Sequence, residues 1–266
     1  MLLPSGNDAA YTTAIHVGGS IENFALMMNS KAKEIGAYDT SFKNPHGLDT
    51  EGHYSTAYDL ALITRYALKY DLFNETIKAK TKEIKVNSEI RVLNNTNALL
   101  KTYEYADGGK TGYTDKAERC LICTATKNNF RIIAVVLGAE STELRFNTCK
   151  NIMEDTFNRY SKKDVSNMLK FEIDIPVIKG EEDYFKVIVD ESDIIYPVRE
   201  DEIDKIYVKQ DIIPTLNGGD EKGKYLGKIQ LILGNDIIFS KDYFLKEDIE
   251  KKSVKKYYNE IVNLFV

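Results

Sequence analysis

Residues 119–137 read RCLICTAT-KNN-FRIIAVVL. Arg119 to Thr126 has the composition of a strand, Lys127-Asn128-Asn129 that of a turn, and Phe130 to Leu137 that of a second strand. Ile132 to Leu137 is apolar at every position, so both faces of that strand need cover. Helices packed on the two sides of the sheet would supply it. Helical patterns do flank the hairpin. Ahead of it, Ser20 caps a segment with Ile21, Phe24, Met28, Ala32 and Ile35 at steps of three or four, and Gly36 stops it. A shorter helix over 8–17 ends at Gly18-Gly19. Thr56 and Asp59 read as a capping pair for a helix that buries Leu60, Ile63, Ala67 and Tyr70. Behind the hairpin, a helix from Ser141 carries Phe146, Cys149, Met153, Phe157 and Tyr160 on one face. Residues 37–54 carry turn chemistry, and 81–93 alternate as a small hairpin. Asn94 to Leu100 turns from polar to apolar and gives no firm assignment.

Beyond the polar stretch Ser161 to Asn167, which reads as a boundary, the character changes. Phe171, Ile173, Ile175 and Val177 alternate with polar residues. Short runs recur at Phe185–Val189, Ile206–Val208, Ile229–Leu233 and Ile237–Phe239, between Gly, Asp and Asn turns. This predicts a small antiparallel β domain over 168–248. The tail, 249–266, is different again. On a helix Val254, Tyr257, Ile261 and Phe265 share a face, and Lys251, Lys252, Lys255 and Lys256 crowd the first turns. Two readings stand: a helix lying in a membrane interface, or a terminal helix packed on the β domain.

The 266 residues are 43% apolar and 29% charged, with a net charge of −5. That is a soluble globular balance and argues against nucleic acid as the main partner. Three cysteines, an odd number, exclude a fully paired disulfide framework within one chain. Cys120-Leu121-Ile122-Cys123 has redox or zinc spacing, but on a strand residues three apart face opposite sides, which favours packing. No run is long enough to cross a bilayer as a helix, and no signal peptide is visible.

Two short stretches carry chemistry. Near the start stands Leu3-Pro4-Ser5-Gly6-Asn7-Asp8, and a hundred residues on Asp107-Gly108-Gly109-Lys110-Thr111-Gly112. In this order they are the Ser-x-Asn and Lys-Thr-Gly motifs of penicillin-recognising serine enzymes, whose first motif is Ser-x-x-Lys. The loop Asn44-Pro45-His46-Gly47-Leu48-Asp49-Thr50-Glu51-Gly52-His53-Tyr54-Ser55 and the strand end Ala134 to Gly138 extend the match. From Leu3 to about Tyr160 the chain resembles D-alanyl-D-alanine carboxypeptidases of the low-molecular-weight penicillin-binding-protein class.

The resemblance implies an α+β fold: a penicillin-binding-protein/β-lactamase-like domain over 1–164, with helices around an antiparallel sheet and its N-terminal part missing. A β-rich domain over 168–248 and a C-terminal amphipathic helix over 249–266 follow. It implies a serine attack on the D-Ala-D-Ala bond of peptidoglycan stem peptides through an acyl-enzyme, with β-lactams attacked the same way. Ser5 is expected to relay a proton to the leaving amine, since a hydroxyl both donates and accepts. Asn7 is expected to hold the substrate amide, and Lys110 to be a fixed cation beside Ser5 and the substrate carboxylate. Thr111 would bind that carboxylate. Gly112 would let the backbone approach the peptide, and the Tyr113 N–H would be an oxyanion donor. Arg145 aligns with a carboxylate-binding arginine; its other reading is an ordinary salt-bridge residue. His46 and His53 read as structural hydrogen-bonders. No metal or cofactor is implied, and the family location is extracytoplasmic and membrane-associated.

Ser-x-x-Lys, expected before Ser5, is not there. The string occurs at Ser30-Lys31-Ala32-Lys33 and Ser253-Val254-Lys255-Lys256, and neither position fits. The expectation is therefore an N-terminally truncated enzyme, inactive as written, with the helices over 8–17 and 20–35 short of apolar cover. The alternatives are a non-catalytic peptidoglycan-binding remnant and, less in keeping with the long loop and added β domain, a β-lactamase.

Overall fold

A computed structural model describes residues 1–263 and divides the chain into two compact units, Met1–Asn158 and Arg159–Val266. In the first unit α1 (Asn7–Gly18) and α2 (Ile21–Glu34) follow one another closely. Gly19 adopts φ +76° to end α1, a conformation with little cost only for glycine. The Ser20 hydroxyl then accepts the Asn23 N–H at 3.0 Å and starts α2. Next come α3 (Ala57–Ala67), α4 (Asp71–Lys78), the hairpin β1 (Thr81–Val86) and β2 (Glu89–Asn94), and the short α5 (Leu99–Thr102). The sheet that matters follows: β3 (Ala106–Thr114), β4 (Glu118–Lys127) and β5 (Phe130–Ala139), antiparallel in the order β3-β4-β5. Its β4–β5 turn needs only Asn128 and Asn129, at φ +50° and +59°, as a tight primed hairpin demands. Then α6 (Thr142–Arg159) begins at Ser141, whose hydroxyl accepts the Leu144 N–H at 3.0 Å.

Leu121, Cys123 and Ala125 of β4 and Ala134 and Val136 of β5 bury one sheet face against Cys149, Met153 and Phe157 of α6. Fully buried side chains such as Leu121 and Met153 each contribute about 1.5–3 kcal/mol. On the other face α3 lies against β5 and α4 against β3. Cover there is partial: Ile133 and Val135 are half-buried and Leu137 is exposed. Tyr11, Ile15 and Val17 of α1 and Leu26 and Met27 of α2 are also exposed. In α3 the buried residues are Asp59 and Thr64, not the expected aliphatic set; Tyr70 is exposed. The reason is a polar anchor. Asp59 Oδ2 accepts the Thr40 hydroxyl at 2.7 Å, while the Thr56 hydroxyl caps the helix through the Asp59 N–H.

The second unit takes up the polar stretch read as a boundary. There β6 (Tyr160–Asp164) pairs with β9 (Ile195–Arg199), and Asp164 at its end accepts the Ser166 N–H at 2.9 Å where the 3₁₀ turn Ser166–Leu169 begins. The other strands are β7 (Lys170–Ile178), β8 (Tyr184–Asp190), β10 (Ile206–Ile212), β11 (Leu216–Asn217), β12 (Tyr225–Leu233) and β13 (Asp236–Phe244). Sheets β11-β7-β8 and β10-β12-β13 enclose one core, centred on Leu169, Ile175, Val189, Leu226, Ile229 and Leu231. All pairs are antiparallel except β11 with β7. Among the described residues of α7 (Val254–Asn263) none is buried; Val254, Tyr257, Tyr258 and Ile261 are exposed. Polar bonds hold its start. Glu181 accepts the Ser253 N–H at 2.7 Å, and Lys256 reaches Asp183 at 3.1 Å. Phe265 lies outside the described residues. No described helix is long and apolar enough to cross a membrane.

Candidate active site

The site grows from β3. Asp107, at its head, accepts the hydroxyls of Thr124 and Thr126 at 2.6 Å each and pairs with Arg131 at 3.1 Å. These contacts fix the strand three residues before its lysine. Gly108 and Gly109 are required by space. A Cβ on Gly108 would stand 2.5 Å from Ile77 Cδ1 of α4, and one on Gly109, at φ +135°, 2.2 Å from Ile122 O. Gly112 differs: a Cβ there would meet only Cys120 Cβ, at 3.6 Å. The fold does not demand glycine at 112. Since β3 is an edge strand, its outer side is open to an extended peptide.

Lys110 Nζ donates to Ser5 Oγ at 2.7 Å and to Thr111 O at 2.5 Å. The two motifs, 105 residues apart in sequence, thus form one cluster. Burial, and then the Arg145 guanidinium, push the Lys110 ammonium below its ordinary value of 10.5. Ser5 sits at φ +58°, in the left-handed region that a non-glycine residue seldom occupies. Such local strain recurs at functional turns. Gly6 N–H to Met1 O at 3.1 Å closes the turn, and Asn7, exposed, opens α1.

Arg145 is 8% exposed, a depth a surface salt-bridge residue does not reach. Its Nη1 lies 3.4 Å from both Gly112 O and Cys120 O, its guanidinium stacks over Phe146, and its Nε finds no partner among the described residues. It therefore supports the backbone at Gly112 with donor capacity to spare. The Tyr113 ring is exposed, donates to Asp115 at 3.1 Å and lies under Arg119. The 44–55 loop reaches β3 through Asp49, which accepts the Thr114 hydroxyl at 2.8 Å. Asn44 builds that loop from inside, and the His53 ring accepts the Lys43 N–H at 2.9 Å. Cys123 is buried and Cys120 half-buried; neither is disulfide-bonded.

Residues 1–141 match the D-alanyl-D-alanine carboxypeptidase family of serine peptidases, and residues 155–251 match the C-terminal domain of penicillin-binding protein 5. The chain belongs to the D-alanyl-D-alanine carboxypeptidase family. It is 33% identical to the D-alanyl-D-alanine carboxypeptidase DacF of Bacillus subtilis over 94% of its own length and 64% of that protein's. It is 36% identical to DacA of Escherichia coli over 71% of its length and 47% of that protein's. The chain thus spans less than two thirds of these relatives. The crystal structure of penicillin-binding protein 5 from Haemophilus influenzae superposes with a TM-score of 0.72 at 26% identity, covering 94% of this chain and 72% of that one.

In this carboxypeptidase-family chain the structure brings Ser5, Lys110 and Thr111 together and sets Arg145 beside Gly112. Sequence reasoning missed Asn95, Thr96 and Asn97. Asn95 Nδ2 donates to Ile77 O and Ala79 O at 3.2 and 3.0 Å. Asn97, 1% exposed, donates to Gly108 O at 3.0 Å and accepts the Leu99 N–H at 3.1 Å. Between them Thr96 meets Thr111, hydroxyl to hydroxyl, at 2.7 Å, and its N–H reaches Leu3 O at 3.3 Å. The available signal was the run of amides from Asn94 to Asn97, which are turn and capping residues just before an apolar stretch.

Proposed function

We propose that these residues form the proton-relay and carboxylate-binding side of a serine D-Ala-D-Ala carboxypeptidase site acting on peptidoglycan stem peptides. The single observation that carries this is the Lys110 Nζ–Ser5 Oγ bond of 2.7 Å beside Thr111 on an open strand edge. An extended peptide adds to the outer edge of β3. Its terminal carboxylate meets the Lys110 charge and the Thr111 hydroxyl, while Asn7 takes up its amide. In the acylation performed by the family's Ser-x-x-Lys serine, that serine would bond to the scissile carbonyl as the bond to D-alanine breaks. Its proton would reach the leaving amine through Ser5, which gives up its own proton and receives that one. The Tyr113 N–H stabilises the oxyanion, and Arg145 holds the strand at Gly112. β-Lactams, with a carboxylate beside a reactive carbonyl, occupy the same place.

The chain of 266 residues is proposed to bind such peptides without acylation. Ser30 lies exposed on α2, and Ser253 is engaged by Glu181; among the described residues neither joins the Ser5–Lys110 cluster. Titration calorimetry with a diacetyl-L-Lys-D-Ala-D-Ala peptide should show reversible binding, and a fluorescent penicillin should leave no covalent adduct. Lack of peptide binding overturns the site; an adduct overturns the absence of acylation.

We also propose an extracytoplasmic setting in which α7 lies on an anionic membrane surface. Its exposed Val254, Tyr257 and Ile261, with exposed Lys251 and Lys255, support this; Lys252 and Lys256 are instead paired with Glu260 and Asp183. Co-sedimentation with phosphatidylglycerol vesicles that weakens as salt rises is the expected result. Recovery of all the protein in the supernatant would refute it.

A further inference from the structure

The Thr96–Thr111 contact is unlike the contacts that hold the sheet. Asp107, Asn97 and Arg145 are largely buried and hold backbone or sheet. Thr96 is exposed, and its hydroxyl touches Thr111 at 2.7 Å. A solvent-reachable hydroxyl pair stabilises a fold little, because water replaces either partner at almost no cost. The loop that carries Thr96 is nonetheless fixed with care. Asn95 ties it to the end of α4, Asn97 ties it to β3, and the Thr96 N–H ties it to Leu3 O in the Ser5 turn. The side chain between these anchors is therefore delivered to Thr111 with little freedom to leave.

A threonine hydroxyl has one proton to give and two lone pairs to receive. A free Thr111 hydroxyl spends part of its time donating elsewhere. If Thr96 donates to Thr111 Oγ1, the Thr111 proton turns away from Thr96 toward the open edge of β3. There it meets a carboxylate already drawn by Lys110. Donation into Thr111 also strengthens the bond Thr111 then makes.

We propose that Thr96 is a positioning residue that orients and polarises the Thr111 hydroxyl for the terminal carboxylate of the bound peptide. This rests on the reading of the β3 edge as a peptide site. Its footprint is selective: Thr96 matters for a ligand ending in a carboxylate and not for the same ligand ending in an amide.

The test uses the full chain and calorimetric titration with diacetyl-L-Lys-D-Ala-D-Ala and its C-terminal carboxamide. Thr96→Val keeps shape and the N–H bond to Leu3 but removes the hydroxyl; Thr96→Ser keeps the hydroxyl. The expected result is that Thr96→Val weakens the acid peptide about tenfold and the amide less than about twofold. Thr96→Ser should bind both as the wild type does. In a Thr111→Val background, adding Thr96→Val should change nothing further, since the group it acts through is gone. Equal losses for acid and amide, additive effects of the two valines, or wild-type binding by Thr96→Val would each overturn the role of Thr96. A wild-type chain that binds neither peptide overturns the underlying site, and Thr96's part falls with it.

Discussion

The two stretches that meet at Lys110 and Ser5 are built in opposite ways. The β3 segment Asp107–Gly112 is locked at its head and along its β4 side, while its outer edge stays open. Its head is an ion-paired carboxylate, Gly108 is pressed by Ile77, Gly109 by Ile122, and Asn97 holds a carbonyl from behind. The turn Leu3–Asn7 has one closing bond of its own, one bond to Thr96 and a strained Ser5. One partner is a rigid reference and the other is brought to it. The Thr96 loop, bonded to both, sets their spacing.

This contrast is open to attack, most forcefully at the rigid partner. Gly109→Ala places a Cβ against Ile122 O at an unfavourable φ, and the first unit should lose about 3 kcal/mol or more, read as a fall in its urea midpoint. An unchanged midpoint would mean that β3 yields more easily than its packing says. Asn97→Ala leaves Gly108 O and the Leu99 N–H without their buried partner and should cost about 2 kcal/mol in the same measurement. A smaller, pH-dependent effect belongs to Lys110. Its pKa is lowered on folding, so between that lowered value and 10.5 the unfolded chain holds more protons. Stability therefore gains from this group as pH rises through that window, while affinity for a carboxylate peptide falls as the ammonium is lost. Affinity measured from neutral to alkaline pH should drop earlier than an ordinary lysine would dictate; a flat profile would remove Lys110 from the carboxylate. Least disruptive is Ser5→Gly, which relieves the +58° strain while deleting the Lys110 contact. Its stability should stay within about 1 kcal/mol of wild type, with peptide binding weakened. A large loss of stability would show that the turn, too, is structural.

The sequence made the periodic parts legible. The 119–137 hairpin, the helix from Ser20 and the helix after Ser141 follow from apolar spacing, turn residues and caps, which act between neighbours. The pairing of Ser5 with Lys110 was legible only as motif order, because nothing local encodes a contact across 105 residues. Residues 94–100 stayed unread for a physical reason: Asn95, Thr96 and Asn97 are partnered with α4, with Leu3 and with β3, and no period marks such bonds. Tyr70 misled because α3 stops at Ala67 and Tyr70 caps the next helix, exposed. Inside α3 the buried positions are Asp59, held by Thr40, and Thr64, with Leu60, Ile63 and Ala67 half-buried around them.

The distance in sequence between Ser5 and Lys110 also has a consequence in time. Closing so long a loop costs chain entropy that must be met before the contact contributes anything, and the Ser5 end buries little beyond Leu3. The sheet, with its neighbouring strands, has no such delay. In the folding of the first unit the site should be the last part to assemble and the first to come apart. In native-state hydrogen exchange the Gly6 and Thr96 amides should exchange through a shallow local opening, while Leu121 and Cys123 wait for the whole unit to unfold.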